Sequence, residues 1–181
     1  FNEQTYGGIV SSRKPFGIES NFSKFVLSES KTHNIKLYKV GGVGFIEEKD
    51  VVSKKELIDK IKVIVSKASP GDDTYPHKII SEPIIALPKS VCTETYLVID
   101  ILENENQAKN LIKYMKTNFF RFMMSLVKNT QNITKGVFVF VPKLNMDEEW
   151  TDEKLYKKYK LKQDEIDFIA TIVKKMDSSD E

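Results

Sequence analysis

A lysine-rich stretch without acids is the part of the sequence best suited to bind a charged ligand. Residues 107–135 hold six basic residues and no acidic one, although the chain has 28 Lys and Arg against 26 Asp and Glu. Lys109, Lys113 and Lys116 recur at intervals that place them on one side of a helix. Such a face can contact phosphates and release counterions. The alternative is a solvated helix face, the common role of a charge run.

Amide and hydroxyl side chains follow this predicted helix. Lys128 precedes Asn129 and Gln131, and the stretch ends at Lys135. Amides can bind adenine edges bidentately, whereas lysines hold phosphates, so the order of residue types suits sequence-specific binding of DNA. The alternative role of the amides is capping and turn formation.

A second basic cluster lies near the start of the chain, where Ser12, Arg13 and Lys14 precede a predicted Pro15–Phe16–Gly17 turn. The two clusters together supply the candidate DNA-binding residues. These are Ser12, Arg13, Lys14, Lys109, Lys113, Lys116, Arg121, Lys128, Asn129, Gln131 and Lys135.

Residues that could form a catalytic or metal site are scattered. His33 and His77 are far apart in sequence and have no zinc-ligand spacing to other residues. Cys92 has no surrounding pattern that would make it a nucleophile, and a free cysteine is most often a small buried apolar residue. Glu47 and Lys49 match the carboxylate–x–lysine part of a metal-dependent nuclease site. Such a site also needs an acidic residue farther upstream, and the sequence offers few candidates there. The sequence therefore predicts no catalytic centre and no metal site in this chain.

Alternating and periodic apolar residues predict the elements that must position the basic clusters. Strands are predicted at 34–40, in a short segment after the 41–45 turn, and at 62–68, 95–102 and 136–142. Helices are predicted after a Ser53–Glu56 capping box, over 105–128, after an N-cap at Thr151, and over 163–176. This order predicts an α+β fold with a mixed, mainly antiparallel sheet, one long helix and several short ones. We expect residues 1–150 to form one domain and 151–181 a helical extension packed on it.

Composition limits the class of protein. A hydrophobic share of 40% supports a core, and a net charge of +2 is too small for a histone-like binder, so any recognition must come from a local patch. One cysteine excludes an internal disulfide framework and fits a reducing compartment, which predicts a cytoplasmic protein. Neither a membrane-spanning run nor a signal peptide is visible. The missing initiator Met predicts a piece of a longer protein.

Four segments in order carry a resemblance to a known family. They are SSRKPFGIESNF, SVCTETYLVI, NLIKYMKTNFFRFMMSLVKNTQNITKGVFVFVP and EEWTDEKLYKKYKLKQDEIDFIATIVKKM. Together they resemble the C-terminal part of adenine-specific DNA methyltransferases from bacterial restriction–modification systems, including fused type II enzymes that also cut DNA. The resemblance is strongest over residues 89–176 and weak over 21–59.

The resemblance implies a target recognition domain whose partners are duplex DNA and an upstream methyltransferase domain of the same polypeptide. It implies no enzyme activity and no cofactor in this fragment; the parent would use S-adenosylmethionine and, where it also cuts DNA, magnesium. Segments shared between enzymes of different specificity are expected to contact phosphates or hold the fold. That expectation applies to Arg13, Lys116, Arg121, Lys128 and Lys135, whereas base-reading residues are expected within 29–73. The alternative is an interaction module whose Met- and Phe-rich helix packs on the methyltransferase domain without reading DNA.

Two positions depart from the family pattern. Lys160 stands where the family commonly has a helix-ending Gly, and Lys162 stands where it has a capping Ser or Thr. We expect both helices to form, with each end weakened by about 1 kcal/mol.

Overall fold

Two small sheets organise the protein. The computed structural model describes residues 3–68, 76–128 and 132–176. The first sheet has the strand order β2-β1-β5 and the second the order β4-β3-β6. The strands are β1 (Ile35–Lys39), β2 (Gly42–Ile46), β3 (Ile61–Ser66), β4 (Ile84–Ala86), β5 (Ser90–Cys92) and β6 (Tyr96–Leu102). The helices are α1 (Glu105–Lys116), α2 (Asn118–Ser125), α3 (Asp152–Lys158) and α4 (Gln163–Ile172). The α+β class predicted from the sequence is confirmed.

The first sheet begins as a hairpin. β1 and β2 are antiparallel, and Gly41 and Gly42 make the turn with φ angles of 80° and 125°, which favour glycine. β5 joins the other edge of β1 in parallel. The predicted strand at 34–40 and the hairpin after it are confirmed, but the predicted turn at 41–45 is wrong in its bounds, because β2 already begins at Gly42. The short strands β4 and β5 were not predicted.

The second sheet separates two apolar cores because its central strand, β3, is buried on both faces. Val63 and Val65 face a first core that also holds residues of α1 and α2. Ile64 faces a second core that holds Leu37 of the first sheet and Val98 of β6. The sheet is thus covered by helices on one side and by the first sheet on the other, as its continuous apolar strands predict.

A β-bulge lies in β6. Val63 pairs with Asp100 and Ile64 pairs with Val98, so Ile99 is the extra residue. Ile99 lies in the first core, and beyond it the alternation of faces is shifted by one position. Asp100 therefore faces the first-core side, where it forms an ion pair with Lys143. Burial and then the Asp100 charge raise the pKa of Tyr6, which lies on the same side.

The predicted helix at 105–128 is wrong in one respect, because it is two helices that meet at Thr117. Thr117 has extended backbone, with φ −61° and ψ 150°, and its side chain accepts from Phe120 N as the N-cap of α2. Both oxygens of Asp152 accept from the next free amides, Asn118 N and Phe119 N, each at 2.9 Å. A new helix start is stabilised because these donors have partners.

The predicted strand at 136–142 is also wrong, because Lys135–Phe138 form a 3₁₀ helix. Val137 and Phe138 are both buried, and Val139 and Phe140 are both exposed, so the apolar residues do not alternate as strand residues do. Pro142 then forms an isolated antiparallel bridge with Thr5.

The predicted capping box at Ser53 does not form, because the Ser53 hydroxyl donates to Pro15 O at 3.4 Å and only a 3₁₀ turn, Lys55–Leu57, follows. Farther along the chain, Thr151 caps α3 as predicted. The predicted last helix ends at Ile172 rather than at 176. Leu155 of α3 and Ile169 of α4 are both buried, and Leu155 belongs to the first core. The division at residue 150 stays a prediction.

Candidate functional site

A cleft of about 650 Å³ brings together one residue from each predicted basic cluster, Arg13 and Lys135. We call it the basic cleft, because the residues that line it include three basic side chains and one acidic one. They are Arg13, Ser20, Val40, Ser66, Lys67, Ala68, Glu94, Thr95, Leu97, Asn132, Ile133, Thr134, Lys135 and Gly136. The cleft therefore combines the N-terminal segment, the end of β3, the start of β6 and the segment that leads into the 3₁₀ helix at Lys135–Phe138.

Arg13 is positioned by pairing of its own segment with β6. Ser11 N donates to Val98 O at 2.9 Å, and Val98 N donates to the Ser11 hydroxyl at 3.0 Å. Lys67 Nζ donates to Arg13 O at 2.6 Å. The backbone of Arg13 is thus fixed, whereas its side chain is 81% exposed.

Glu94 lies beside this guanidinium. Arg13 Nε donates to Glu94 Oε2 at 3.2 Å, and Ser20 N donates to Glu94 Oε1 at 3.2 Å. Glu94 N in turn donates to Ile18 O at 2.8 Å. The Ser20 amide, followed by the charges of Arg13 and Lys14, lowers the pKa of Glu94, so its carboxylate is ionised at neutral pH.

Lys67 connects the two walls of the cleft. Its carbonyl accepts from Ile133 N at 2.8 Å, and Ala68 forms an antiparallel bridge with Asn132. Burial is the main cause that lowers the pKa of Lys67. Lys135, the predicted end of the basic stretch, is exposed at the opposite wall.

The lysines of α1 lie outside the lining of the basic cleft. Lys113 pairs with Glu149 at 3.0 Å, and Lys116 pairs with Glu82. Lys109 is exposed. The basic stretch that has no acids of its own therefore receives carboxylates from two other segments, which leaves less of its charge for an outside anion.

Arg121 is a buried structural residue. Its side chain is 0% exposed and donates to Thr117 O at 3.2 Å, to Lys116 O at 3.0 Å and to Asn118 Oδ1 at 2.9 Å. It also donates to the carbonyls of Lys78 and Lys174. Burial lowers its pKa to about 10, which still leaves it charged at neutral pH. Arg121 was expected either to contact phosphate or to hold the fold. Because its side chain is buried, it can only hold the fold.

The remaining candidates are dispersed. Lys14 pairs with Glu19 at 2.7 Å, and Ser12 is exposed beside it. Lys128 is half-buried, and burial lowers its pKa. Asn129 and Gln131 lie outside the described residues. They stay predictions.

Sequence reasoning missed Lys67 and Glu94. Lys67 follows a buried strand, and Glu94 lies in the turn between β5 and β6, so neither stands in a local cluster of like residues. Their proximity depends on the pairing of β3 with β6, because Lys67 N donates to Thr95 O at 2.9 Å. A prediction of the register in which β3 pairs with β6 could have shown that Lys67 and Glu94 lie close together.

The residues considered for catalysis are either buried or held in an ion pair. Cys92 is 1% exposed, and burial raises its pKa to about 12, so its thiol stays protonated at neutral pH. Glu47 pairs with Lys49 at 2.9 Å within a 3₁₀ turn. Over residues 3–68, 76–128 and 132–176, no group of three or more His, Cys, Asp and Glu side chains could hold a metal ion.

Comparison with known proteins adds no assignment. No protein-family model matches the chain, and no curated protein is similar enough to match it. None of the helices in the described part of the chain is both long and apolar enough to cross a membrane.

Proposed function

We propose that this chain is a DNA-binding target recognition domain of a restriction–modification enzyme, and that it holds duplex DNA at the basic cleft. The observation that carries the proposal is the convergence of Arg13 and Lys135. Each belongs to a basic cluster that the sequence alone had singled out, and both line one cleft.

The chemistry of the cleft suits a polyanion. Arg13 and Lys135 are exposed cations, and Lys67 adds a third positive charge to the lining. Arginine and lysine side chains are the usual phosphate ligands of DNA-binding proteins. Ser20 and Thr134 add hydroxyl groups, which can donate to phosphates or bases.

The parent enzyme is part of the same proposal and rests on the family resemblance. An upstream domain would bind S-adenosylmethionine and transfer its methyl group to adenine, while this chain selects the site. The enzyme would act in the cytoplasm, where its DNA substrate lies.

The test is a titration of fluorescently labelled duplex DNA with the purified chain at several salt concentrations. We expect binding that weakens steeply with salt, because phosphate contacts release counterions. Arg13→Ala combined with Lys135→Ala should reduce the magnitude of the salt slope by about 1 for each phosphate that is no longer neutralised. The matched control, Lys109→Ala combined with Lys113→Ala, removes the same charge from α1 and should change affinity less.

Two results would count against the proposal. One is the absence of duplex binding at low salt. The other is equal loss of affinity in the cleft variant and the α1 control, which would mean that net charge alone accounts for binding.

A second candidate function, the protein-interaction module, is favoured by an apolar groove between α2 and α4. Phe122 and Phe168 lie with ring centroids 6.0 Å apart, and Phe168 is 56% exposed. Leu126, just after α2, is 55% exposed. Exposed apolar side chains that lie together often mark an interaction surface.

This candidate predicts that the isolated chain self-associates and that Phe168→Asp abolishes self-association, as measured by light scattering, without changing DNA affinity. A chain that stays monomeric at high concentration would remove this support.

A further inference from the structure

Among the described residues that line the basic cleft, Glu94 is the one acidic side chain, beside the basic Arg13, Lys67 and Lys135. A carboxylate and a phosphate bind an arginine through the same N–H···O geometry. Because Glu94 Oε2 lies 3.2 Å from Arg13 Nε, it holds a donor that a DNA phosphate would need. The proposed DNA ligand and this carboxylate therefore compete for the Nε donor of Arg13.

The two partners differ in exposure. The side chain of Glu94 is 14% exposed, whereas that of Arg13 is 81% exposed. The carboxylate is kept in place from behind by Ser20 N, and the guanidinium lies at the surface. A phosphate can reach Arg13 from solvent, whereas Glu94 cannot move away without losing the Ser20 hydrogen bond.

Three basic groups act on this carboxylate. Arg13 contacts it, and the charges of Arg13 and Lys14 contribute to its lowered pKa. Lys67 interacts with Glu94 through charge from the β3 side. The Ser20 hydrogen bond, followed by the charges of Arg13 and Lys14, lowers the pKa of Glu94. Its carboxylate is ionised at neutral pH, so it would also repel a phosphate that enters the cleft.

We propose that Glu94 lowers the affinity of the basic cleft for the phosphate backbone of DNA by occupying Arg13 Nε and by repelling phosphate. Binding through backbone contacts is then weakened, because the Glu94 carboxylate offsets part of the Arg13 charge and takes one of its donors. The inference rests on the proposed DNA-binding function and deepens it at the same site.

The decisive variant is Glu94→Gln, which removes the charge but keeps an acceptor for Ser20 N. Affinity for a duplex of random sequence should rise about tenfold, and the salt slope should grow in magnitude by about 1, because Arg13 becomes free to neutralise one more phosphate. In the Arg13→Ala background, Glu94→Gln should produce a clearly smaller gain. Glu94→Asp keeps the charge and should leave the affinity near that of the wild type.

The matched control is Glu149→Gln, which changes the net charge equally but removes the carboxylate that pairs with Lys113 on α1, outside the cleft lining. It should raise affinity less than Glu94→Gln. Thermal unfolding of each variant establishes that it is folded.

The possible outcomes separate the inference about Glu94 from the proposed DNA-binding function. If the wild type binds duplex DNA and folded Glu94→Gln binds no more tightly, the inference about Glu94 is overturned while the proposed function stands. If Glu149→Gln raises affinity as much as Glu94→Gln does, the effect is one of net charge and the inference also fails. If neither the wild type nor Glu94→Gln binds duplex DNA, both statements fall.

Discussion

The α1 lysines and the basic cleft gather positive charge in different ways. Lys113 and Lys116 lie in the part of the sequence with no acids, yet both pair with carboxylates that other segments supply. Arg13 and Lys67 are far apart in sequence, yet the Lys67 ammonium donates to the Arg13 carbonyl in one cleft. The charge that a surface offers to a ligand depends on tertiary partners, and a local run of lysines does not reveal those partners.

The largest effect expected on the helical side comes from Arg121. Replacing it with Met should lower the free energy of unfolding by about 3–5 kcal/mol, because the acceptors that Arg121 satisfies would be left without their donor. Urea denaturation measures the change. Lys109→Met is the matched control and should stay within about 0.5 kcal/mol of the wild type, since that side chain is exposed. A mild effect of Arg121→Met would mean that the fold does not depend on the hydrogen bonds of this guanidinium.

Lys62 tests whether a second buried cation is held by carbonyls as Arg121 is. It is 0% exposed and donates to Leu57 O, Ile58 O and Lys60 O at 2.9, 3.2 and 2.6 Å. Lys62→Met should cost about 1–3 kcal/mol at pH 7, because those carbonyls lose their donor. Urea denaturation of both proteins gives the difference.

The pH dependence of that difference has a defined sign. Burial lowers the pKa of Lys62 from 10.5 to about 8, so the unfolded chain binds more protons than the folded one between these values. The stability of the wild type should therefore rise relative to Lys62→Met as pH increases from about 8 to 10.5. A constant difference over this range would contradict the lowered pKa.

Lys160 extends the comparison to a lysine whose backbone conformation should affect stability more than its charge does. Its φ is 54°, in the left-handed region that favours glycine, just after α3. Lys160→Gly should stabilise the chain by up to about 1 kcal/mol, because glycine adopts this conformation without a steric penalty. The melting temperature should rise. Lys157→Gly, within α3, is the control and should lower it.

The smallest effect is expected for the pair between Lys113 and Glu149. Both side chains are partly exposed, at 38% and 47%, so the ion pair contributes about 0–1 kcal/mol. A double-mutant cycle with Lys113→Ala and Glu149→Ala measures the coupling. A coupling above that range would show that the charges of α1 serve stability more than the exposed geometry implies.

Local sequence patterns predicted the strands in which one pattern of apolar residues continues from end to end. β1 was found because its residues alternate, β3 because β-branched residues dominate it, and β6 because it is apolar nearly throughout. The break at Thr117 was missed because the apolar stripe continues across it, from Met115 to Phe119, while the cap that stabilises the break comes from the distant Asp152. In the cleft, Arg13 and Lys135 belonged to visible clusters. Lys67 and Glu94 did not, since only the pairing of distant strands brings them to the site.

The bulge at Ile99 sets the face that each later residue of β6 takes. If Ile99 paired regularly instead, strict alternation would turn the Asp100 carboxylate toward the apolar interior between the sheets and turn Ile101 away from it. Deleting Ile99 would leave both residues on their present faces, so the cost of that deletion should come from the side chain lost from the first core. Because of this extra residue, the alternation of β6 between the two cores is shifted partway along the strand. Val98 lies in the second core and Leu102 in the first, so substitutions at these two positions would destabilise different cores.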